Sequence, residues 1–191
     1  PKIQQNAIKK MMETGTPVVL VLMAGSSIAL NGLEEELEAI LMAWYPGQRG
    51  GDAIASVLFG EYNPGGKLPV TFYKSTSDLP DFKDYNMRAG NGFTYRYFKG
   101  DALYPFGHGL SYTEFKYSNL KVNKTRISDK ENFKISFKIK NTGFYDGDEV
   151  VQVYIKDVSS PIHMPIKQLR GFQRVSLDKG GEKIIEFDLD E

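Results

Sequence analysis

KISFKIK, at residues 134–140, places an isoleucine, a phenylalanine and a second isoleucine on one side of an extended chain and polar residues on the other. This period of two predicts a β-strand with one buried face. Residues 148–156 and 183–189 are strand-like in the same way, and turn sequences rich in Gly, Asn and Asp separate the three segments. Short strands with no helix between them predict a β-sandwich from about residue 117 onward.

The first seventy residues have a different pattern, in which helical and strand-like segments alternate. The predicted strands are apolar on both faces, as buried parallel strands are. The predicted helices are Lys2–Thr14, Leu33–Glu38 and a short helix from Gly50 to Gly60, and the predicted strands are Val18–Met23, Ala39–Tyr45 and Leu68–Phe72. This order predicts a layered α/β unit that starts in mid-pattern.

Between the two patterns lies a segment rich in Gly, Pro, Asp and Tyr, which is too long for an ordinary connection. We therefore expect it to pack against one or both units. The predicted organisation is α/β followed by all-β: an α/β unit at residues 1–72, a packed aromatic and Gly-rich linker at 73–115, and a β-sandwich at 116–191.

Composition excludes several classes of function. The 191 residues contain 24 Lys and Arg, 24 Asp and Glu, and no Cys. A net charge of zero provides no general attraction to nucleic acid or anionic lipid. The absence of cysteine excludes disulfides, thiolate metal sites and cysteine nucleophiles. The longest apolar run, residues 17–25, is far shorter than the roughly 20 residues that span a membrane. We expect no nucleic-acid or membrane partner.

The sequence Gly25–Ala29 (GSSIA) follows a predicted strand and is similar to the nucleophile elbow of a serine hydrolase, with Ser27 as nucleophile. The remaining triad members would be Asp81, Asp84 or Asp101, and His108. An elbow requires a helix after the serine, and Gly32 interrupts any helical pattern there. We therefore favour a polar exit from the strand.

Two other motifs are weak indications of ligand binding. Residues 60–67 (GEYNPGGK) are similar to a phosphate loop but have the wrong spacing and follow a helix, so a tight turn is favoured. Residues 146–149 (DGDE) begin like a calcium loop, but the pattern fails at Val150. The two histidines, His108 and His163, are far apart in sequence, which disfavours a histidine metal site. We predict no metal or cofactor.

Aromatic residues are concentrated in the linker, where they could stack on sugar rings or pack between the two units. The residues are Phe93, Tyr95, Tyr97, Phe98, Tyr104, Phe106 and Tyr112. We favour packing, and expect Phe106, Leu110 and Tyr112 to be buried and His108 to be a hydrogen-bonded structural residue.

Several longer motifs, taken in order, closely resemble glycoside hydrolase family 3. They are WYPGQRGG at 44–51, VLFG at 57–60, NPGGKLPVTF at 63–72, YPFGHGLSYTEF at 104–115, KNTG at 140–143, GDEVVQVY at 147–154 and LRGF at 169–172. The resemblance covers essentially the whole chain. It implies the end of an α/β-sandwich domain joined to a fibronectin type III-like domain that is incomplete at its C-terminal end.

Members of the family are mostly retaining, exo-acting β-glucosidases, β-xylosidases and relatives. The resemblance implies a nucleophilic Asp on an N-terminal barrel and an acid/base Glu upstream of Pro1, so no catalytic residue is assigned to this chain and it alone is expected to be inactive. It further implies a glycoside substrate, the missing barrel as partner, compatibility with a homo-oligomer, and a periplasmic or secreted location. The alternative is a non-catalytic carbohydrate-binding or scaffolding module.

Overall fold

A computed structural model describes residues 1–128 and 131–189. The chain forms two compact units. The first, here called the α/β unit, comprises Pro1–Phe59 and Val70–Phe106, and the second, the sandwich unit, comprises Gly60–Pro69 and the chain from Gly107. The domain boundaries predicted at residues 72 and 115 stay a prediction.

The α/β unit contains three helices and four short strands within its described residues. They are α1 (Lys2–Met12), β1 (Val19–Leu22), β2 (Ala39–Met42), α2 (Gly50–Leu58), β3 (Phe72–Tyr73), α3 (Thr94–Tyr97) and β4 (Ala102–Tyr104), with single 3-10 turns at Leu33–Glu35 and Thr76–Asp78. Strands β1 and β2 pair in parallel, with Val19 opposite Ala39. The predicted parallel character of the first two strands is therefore confirmed. Strands β3 and β4 pair in antiparallel fashion.

Two predicted elements of this region are wrong. The helix expected at residues 33–38 is only a 3-10 turn at Leu33–Glu35, and the left-handed Gly32 (φ 88°) precedes it. The strand expected at 68–72 begins only at Phe72. Leu68 pairs elsewhere, since its N–H donates to the carbonyl of His108 (2.8 Å) and its carbonyl accepts from the N–H of Gly107 (2.7 Å). Both partners belong to the sandwich unit.

Aromatic rings fill much of the α/β unit. Phe72 is almost fully buried, and the rings of Trp44 and Tyr104 each meet it edge to face at 6.3 Å. Tyr95 stacks on Phe106 at 4.3 Å. These contacts lie within the α/β unit, and the expected packing of the linker aromatics between the two units stays a prediction.

The expectation of burial is wrong for two linker residues, Leu110 and Tyr112, which are exposed. The backbone there is fixed by Asn63, whose side-chain oxygen accepts hydrogen bonds from the Ser111 hydroxyl and the Tyr112 N–H, both 2.8 Å. The backbone is thus anchored while the two apolar side chains stay at the surface.

In its described residues, the sandwich unit has five antiparallel strands in two sheets. They are β5 (Phe115–Val122), β6 (Phe133–Asn141), β7 (Gly147–Ile155), β8 (Gln168–Leu177) and β9 (Glu182–Leu189). One sheet has the order β5-β6-β9, and the other pairs β7 with β8. Alternate residues of β6 are buried, so the predicted period of two is confirmed. The core contains Phe133, Ile135, Phe137, Ile139, Val151, Val153, Val175, Leu177, Ile185 and Leu189.

Within the described ranges, no helix is both long enough and apolar enough to cross a membrane.

Two isoleucines of the same sheet test where the core lies. Ile139 is 0% exposed and Ile184 is 69% exposed. We expect Ile139→Ala to lower the free energy of unfolding by roughly 2–5 kcal/mol, because it removes buried methyl groups and leaves a cavity. Ile184→Ala is expected to change it by less than about 0.5 kcal/mol. Urea denaturation followed by circular dichroism measures both, and equal losses would contradict the assigned core.

Candidate functional site

The most enclosed group of charged side chains lies in the sandwich unit. Lys67 Nζ is 3.0 Å from Glu149 Oε2, and the two side chains are only 14% and 12% exposed. The Tyr117 hydroxyl donates to Glu149 Oε1 at 2.9 Å, and Lys67 also donates to the carbonyl of Gly109 at 2.7 Å. Both carboxylate oxygens of Glu149 are therefore occupied.

The arrangement has a direct effect on Tyr117. Burial first, and then the charge and hydrogen bond of Glu149, raise the pKa of Tyr117 well above its usual value of 10.0. Since a phenolate beside a carboxylate would place two negative charges together, the tyrosine stays a proton donor. The cluster binds its own members tightly and leaves no free carboxylate for chemistry.

Segment 60–69 reaches this cluster through close backbone contacts. A Cβ at Gly65 would lie 2.5 Å from the carbonyl oxygen of Asp148 on β7, so only glycine fits there. Gly109 lies equally close to the backbone of Gly66. Asn63 adds a hydrogen bond from its amide to the carbonyl of Asp146 (2.9 Å). The Gly-rich sequence thus allows close backbone contact within the sandwich unit. These contacts favour a structural role for the segment over a phosphate loop.

The acidic residues at 146–149 are engaged by protein groups. Asp146 Oδ1 accepts from the N–H of Lys179 (2.7 Å), and Asp148 pairs with Arg174. A hydrogen bond from Ser176, followed in effect by Arg174, lowers the pKa of Asp148. Among residues 1–128 and 131–189, no group of three or more His, Asp and Glu side chains is placed to hold a metal ion.

The serine-hydrolase alternative lacks its structural context. Ser27 lies in the loop after β1, and the next element is the 3-10 turn at Leu33–Glu35 rather than a helix. A nucleophile elbow is a strand–turn–helix unit, and that unit is not formed here.

His108 has an environment that disfavours its charged form. Burial first, and then the charge of Lys67, lower the pKa of His108 from its usual value of 6.5. Its carbonyl accepts from Leu68 in the same segment. These features fit a structural histidine.

A second candidate site lies in the α/β unit, in the loops that follow β1 and β2. Ligands of open α/β sheets bind beside the carboxyl ends of parallel strands. After β2, Trp44 has a left-handed backbone (φ 51°), and the next residue, Tyr45, is 82% exposed. The hydroxyl-bearing edge of the Tyr45 ring lies against Gly25 in the loop after β1, where a Cβ would be 2.5 Å from the ring. Sequence reasoning missed Tyr45, because it placed this residue inside the predicted strand Ala39–Tyr45, whereas β2 ends at Met42.

The fold is thus an α/β unit followed by a β-sandwich. The glycosyl hydrolase family 3 C-terminal domain matches residues 1–112, and the fibronectin type III-like domain matches residues 149–191. The chain therefore belongs to glycosyl hydrolase family 3, whose C-terminal domain it carries. The resemblance drawn from the sequence motifs is confirmed.

Curated relatives agree with this assignment. A xylan 1,4-β-xylosidase of Xylanibacter ruminicola is 47% identical over 94% of this chain and 20% of its own length. A periplasmic β-glucosidase of Salmonella typhimurium is 39% identical over all of this chain and 26% of its own length. The chain therefore spans between a fifth and just over a quarter of these relatives.

Solved structures agree as well. A β-glucosidase from Erythrobacter marinus superposes with a TM-score of 0.85 at 39% identity, covering 98% of this chain and 25% of that one. A β-glucosidase from Listeria innocua in complex with isofagomine gives 0.84 at 33% identity, covering 100% and 28%. The α/β-plus-sandwich fold predicted from the sequence is therefore shown.

The buried ion pair predicts strong coupling in the sandwich. We expect Lys67→Met or Glu149→Gln alone to cost roughly 3–5 kcal/mol of unfolding free energy, because each change leaves an unpaired buried group. The double variant should cost less than the sum of the two. The exposed pair Lys134–Asp188, at 3.2 Å, is the matched control, and its removal should cost no more than about 1 kcal/mol. Additive effects of Lys67 and Glu149 in urea denaturation would exclude the coupling.

The environment of His108 predicts a pH effect. The unfolded chain takes up a proton near the usual pKa of 6.5, whereas the folded chain takes it up only at lower pH. Folding stability should therefore fall as the pH drops below about 6.5. His108→Gln should flatten this decline, and His163→Gln, at the other histidine, should leave it in place. Urea midpoints between pH 5 and 8 measure the effect, and an unchanged slope in His108→Gln would refute it.

Proposed function

We propose that this chain is the C-terminal part of a retaining, exo-acting β-glycoside hydrolase that removes terminal sugars from β-linked glycosides. One observation carries the proposal. The chain aligns over 94% and 100% of its length with a β-xylosidase and a β-glucosidase. A match of this extent, across both units, supports an inherited activity rather than a shared single module.

Retention of anomeric configuration requires two carboxyl groups about 5–5.5 Å apart, one as nucleophile and one as acid and then base. The acid must hold its proton near neutral pH, which requires a raised pKa. In this chain Glu149 is consumed by Lys67 and Tyr117. The pKa values of Glu131, Asp148 and Glu182 are lowered, by hydrogen bonds first of all. These four carboxyl groups are poor candidates for the acid. Because the family resemblance implies a nucleophile on a barrel and an acid/base Glu upstream of Pro1, we infer that both catalytic carboxyl groups lie in the remainder of the protein.

On this proposal the chain contributes structure and one edge of the substrate site. The carboxyl edge of β1 and β2 is the part of the α/β unit suited to face a ligand. The sandwich unit, with its neutralised charges and packed core, serves as a rigid support for the segment 60–69 that it holds. The missing barrel and a glycoside substrate are the partners that this assignment requires.

The test is hydrolysis of nitrophenyl β-glucoside and β-xyloside by the full-length protein that contains this chain. We expect release of nitrophenol, and a product whose first-formed anomer is β when the reaction is followed by NMR. The 191-residue chain alone is the control and should release none.

Three results would contradict parts of the proposal. A folded full-length protein that hydrolyses no aryl β-glycoside would refute the activity. Binding to a glycan array without hydrolysis would instead support the non-catalytic carbohydrate-binding module. Activity of the isolated chain would show that the catalytic carboxyl groups lie within it.

A further inference from the structure

We propose that the ring of Tyr45 is a stacking platform for the leaving-group sugar of an oligosaccharide substrate. The inference rests on the proposed hydrolase function and adds to it a substrate-contacting residue. It is carried by the place, the exposure and the rigid support of this one side chain in the α/β unit.

The place of Tyr45 is the carboxyl end of a parallel strand. β2 ends at Met42, and Tyr45 lies in the loop that follows it. The neighbouring loop, after β1, brings Gly25 against the ring edge. Two adjacent parallel strands thus deliver their following loops to the same edge of the sheet, which is where α/β folds bind ligands.

The loop holds Tyr45 outward through its neighbours. Trp44 has φ 51°, which is rare for a bulky residue and costs energy, so it persists only where surrounding contacts enforce it. Its ring is anchored edge to face on Phe72, which is 2% exposed. Since the Trp44 ring is held inside, the turn in the backbone directs the next side chain to the surface.

Two further contacts stiffen the same loop. Gly47 has φ 71°, so it makes a second left-handed turn. Pro46 packs on Gly50 at the start of α2, where a Cβ would lie 2.6 Å from the proline ring. A loop with this many local contacts presents Tyr45 in one position. Sugar binding would therefore order few additional groups of the protein, and the entropic cost of binding would stay small.

The chemistry of the position fits a sugar more than other small ligands. A pyranose has a face of C–H groups that packs on an aromatic ring, and the tyrosine hydroxyl can hydrogen-bond at the rim. The nearby charges of Arg49 and Asp52 pair with each other at 3.0 Å. The terminal sugar that is cleaved off must be recognised by many directional hydrogen bonds. The leaving-group sugar needs fewer of them, so one flat ring without convergent charges suits the leaving-group sugar better.

Phe82 is another exposed aromatic residue of the unit. It is 93% exposed and lies in the irregular segment between the 3-10 turn at Thr76–Asp78 and α3. It therefore provides a matched control for the loss of an exposed ring.

The experiment compares two substrates in the full-length protein. One is a β-linked disaccharide of the preferred sugar, which has a leaving-group sugar, and the other is the β-glycosyl fluoride, which has none. We expect Tyr45→Ala to raise KM for the disaccharide roughly threefold to tenfold and to leave kcat/KM for the fluoride unchanged. Tyr45→Trp should restore the disaccharide KM, and Phe82→Ala should change neither substrate.

Each contrary outcome has its own meaning. An active wild-type protein in which Tyr45→Ala keeps the disaccharide KM would overturn the platform while leaving the proposed function intact. Equal losses on both substrates, together with a lower melting temperature, would overturn it too, because the ring would then be packed against the rest of the protein. A wild-type protein inactive on both substrates would refute the hydrolase function, and the platform with it.

Discussion

The ion pair between Lys67 and Glu149 is the constraint on which the sandwich unit depends. A charge removed from water must be paired and hydrogen-bonded, and here Tyr117 and the carbonyl of Gly109 complete the set. Because Lys67 lies in segment 60–69, the pair makes this segment part of the sandwich although the α/β unit precedes and follows it in sequence. The chain therefore enters the second unit, leaves it at Val70 and returns at Gly107, so neither unit corresponds to one continuous stretch of sequence.

Local periodicity explains what could be predicted and what could not. Strand β6 was predictable because one of its faces contacts the core and the other contacts water. Every second residue of β6 is therefore buried, most of these residues are apolar, and this alternation is visible in the sequence. β1 and β2 were predictable for the complementary reason, since apolar residues on both faces are typical of parallel strands. The role of residues 60–69 was not predictable in this way. Lys67 finds its partner on β7, far along the chain, and no local pattern records such a contact. The same limit applies to Leu110 and Tyr112, which are exposed although burial was expected. The backbone beside them is held by Asn63, a partner far away in sequence, through the Ser111 hydroxyl and the Tyr112 N–H.

For the candidate sites, too, the outcome depended on whether the local sequence carries a signal. The chemistry of single motifs disfavoured the phosphate loop at residues 60–67, which has the wrong spacing and follows a helix, and the elbow at Ser27, which no helical pattern follows. Tyr45 was missed because its exposure depends on the left-handed backbone of Trp44. A positive φ is expected at glycine and is unusual at tryptophan, so composition alone gives no reason to anticipate it.

Two residues of the α/β unit with a left-handed backbone, Trp44 and Thr94, share a common support, which links the packing of the unit to its surface. Besides Trp44, Thr94 has a positive φ (54°), and a β-branched residue in that region costs about 1–3 kcal/mol. The Trp44 ring packs on Phe72, and the N–H of Thr94 donates to the hydroxyl of Tyr73 at 3.1 Å. Phe72 and Tyr73 together form β3, so a strand of only two residues anchors both strained turns. Strain of this kind persists only where surrounding contacts enforce it. The aromatic packing around β3 thus holds a loop at the carboxyl edge in a single conformation, and a fixed, exposed ring at that edge is what recognition of a flat sugar face requires.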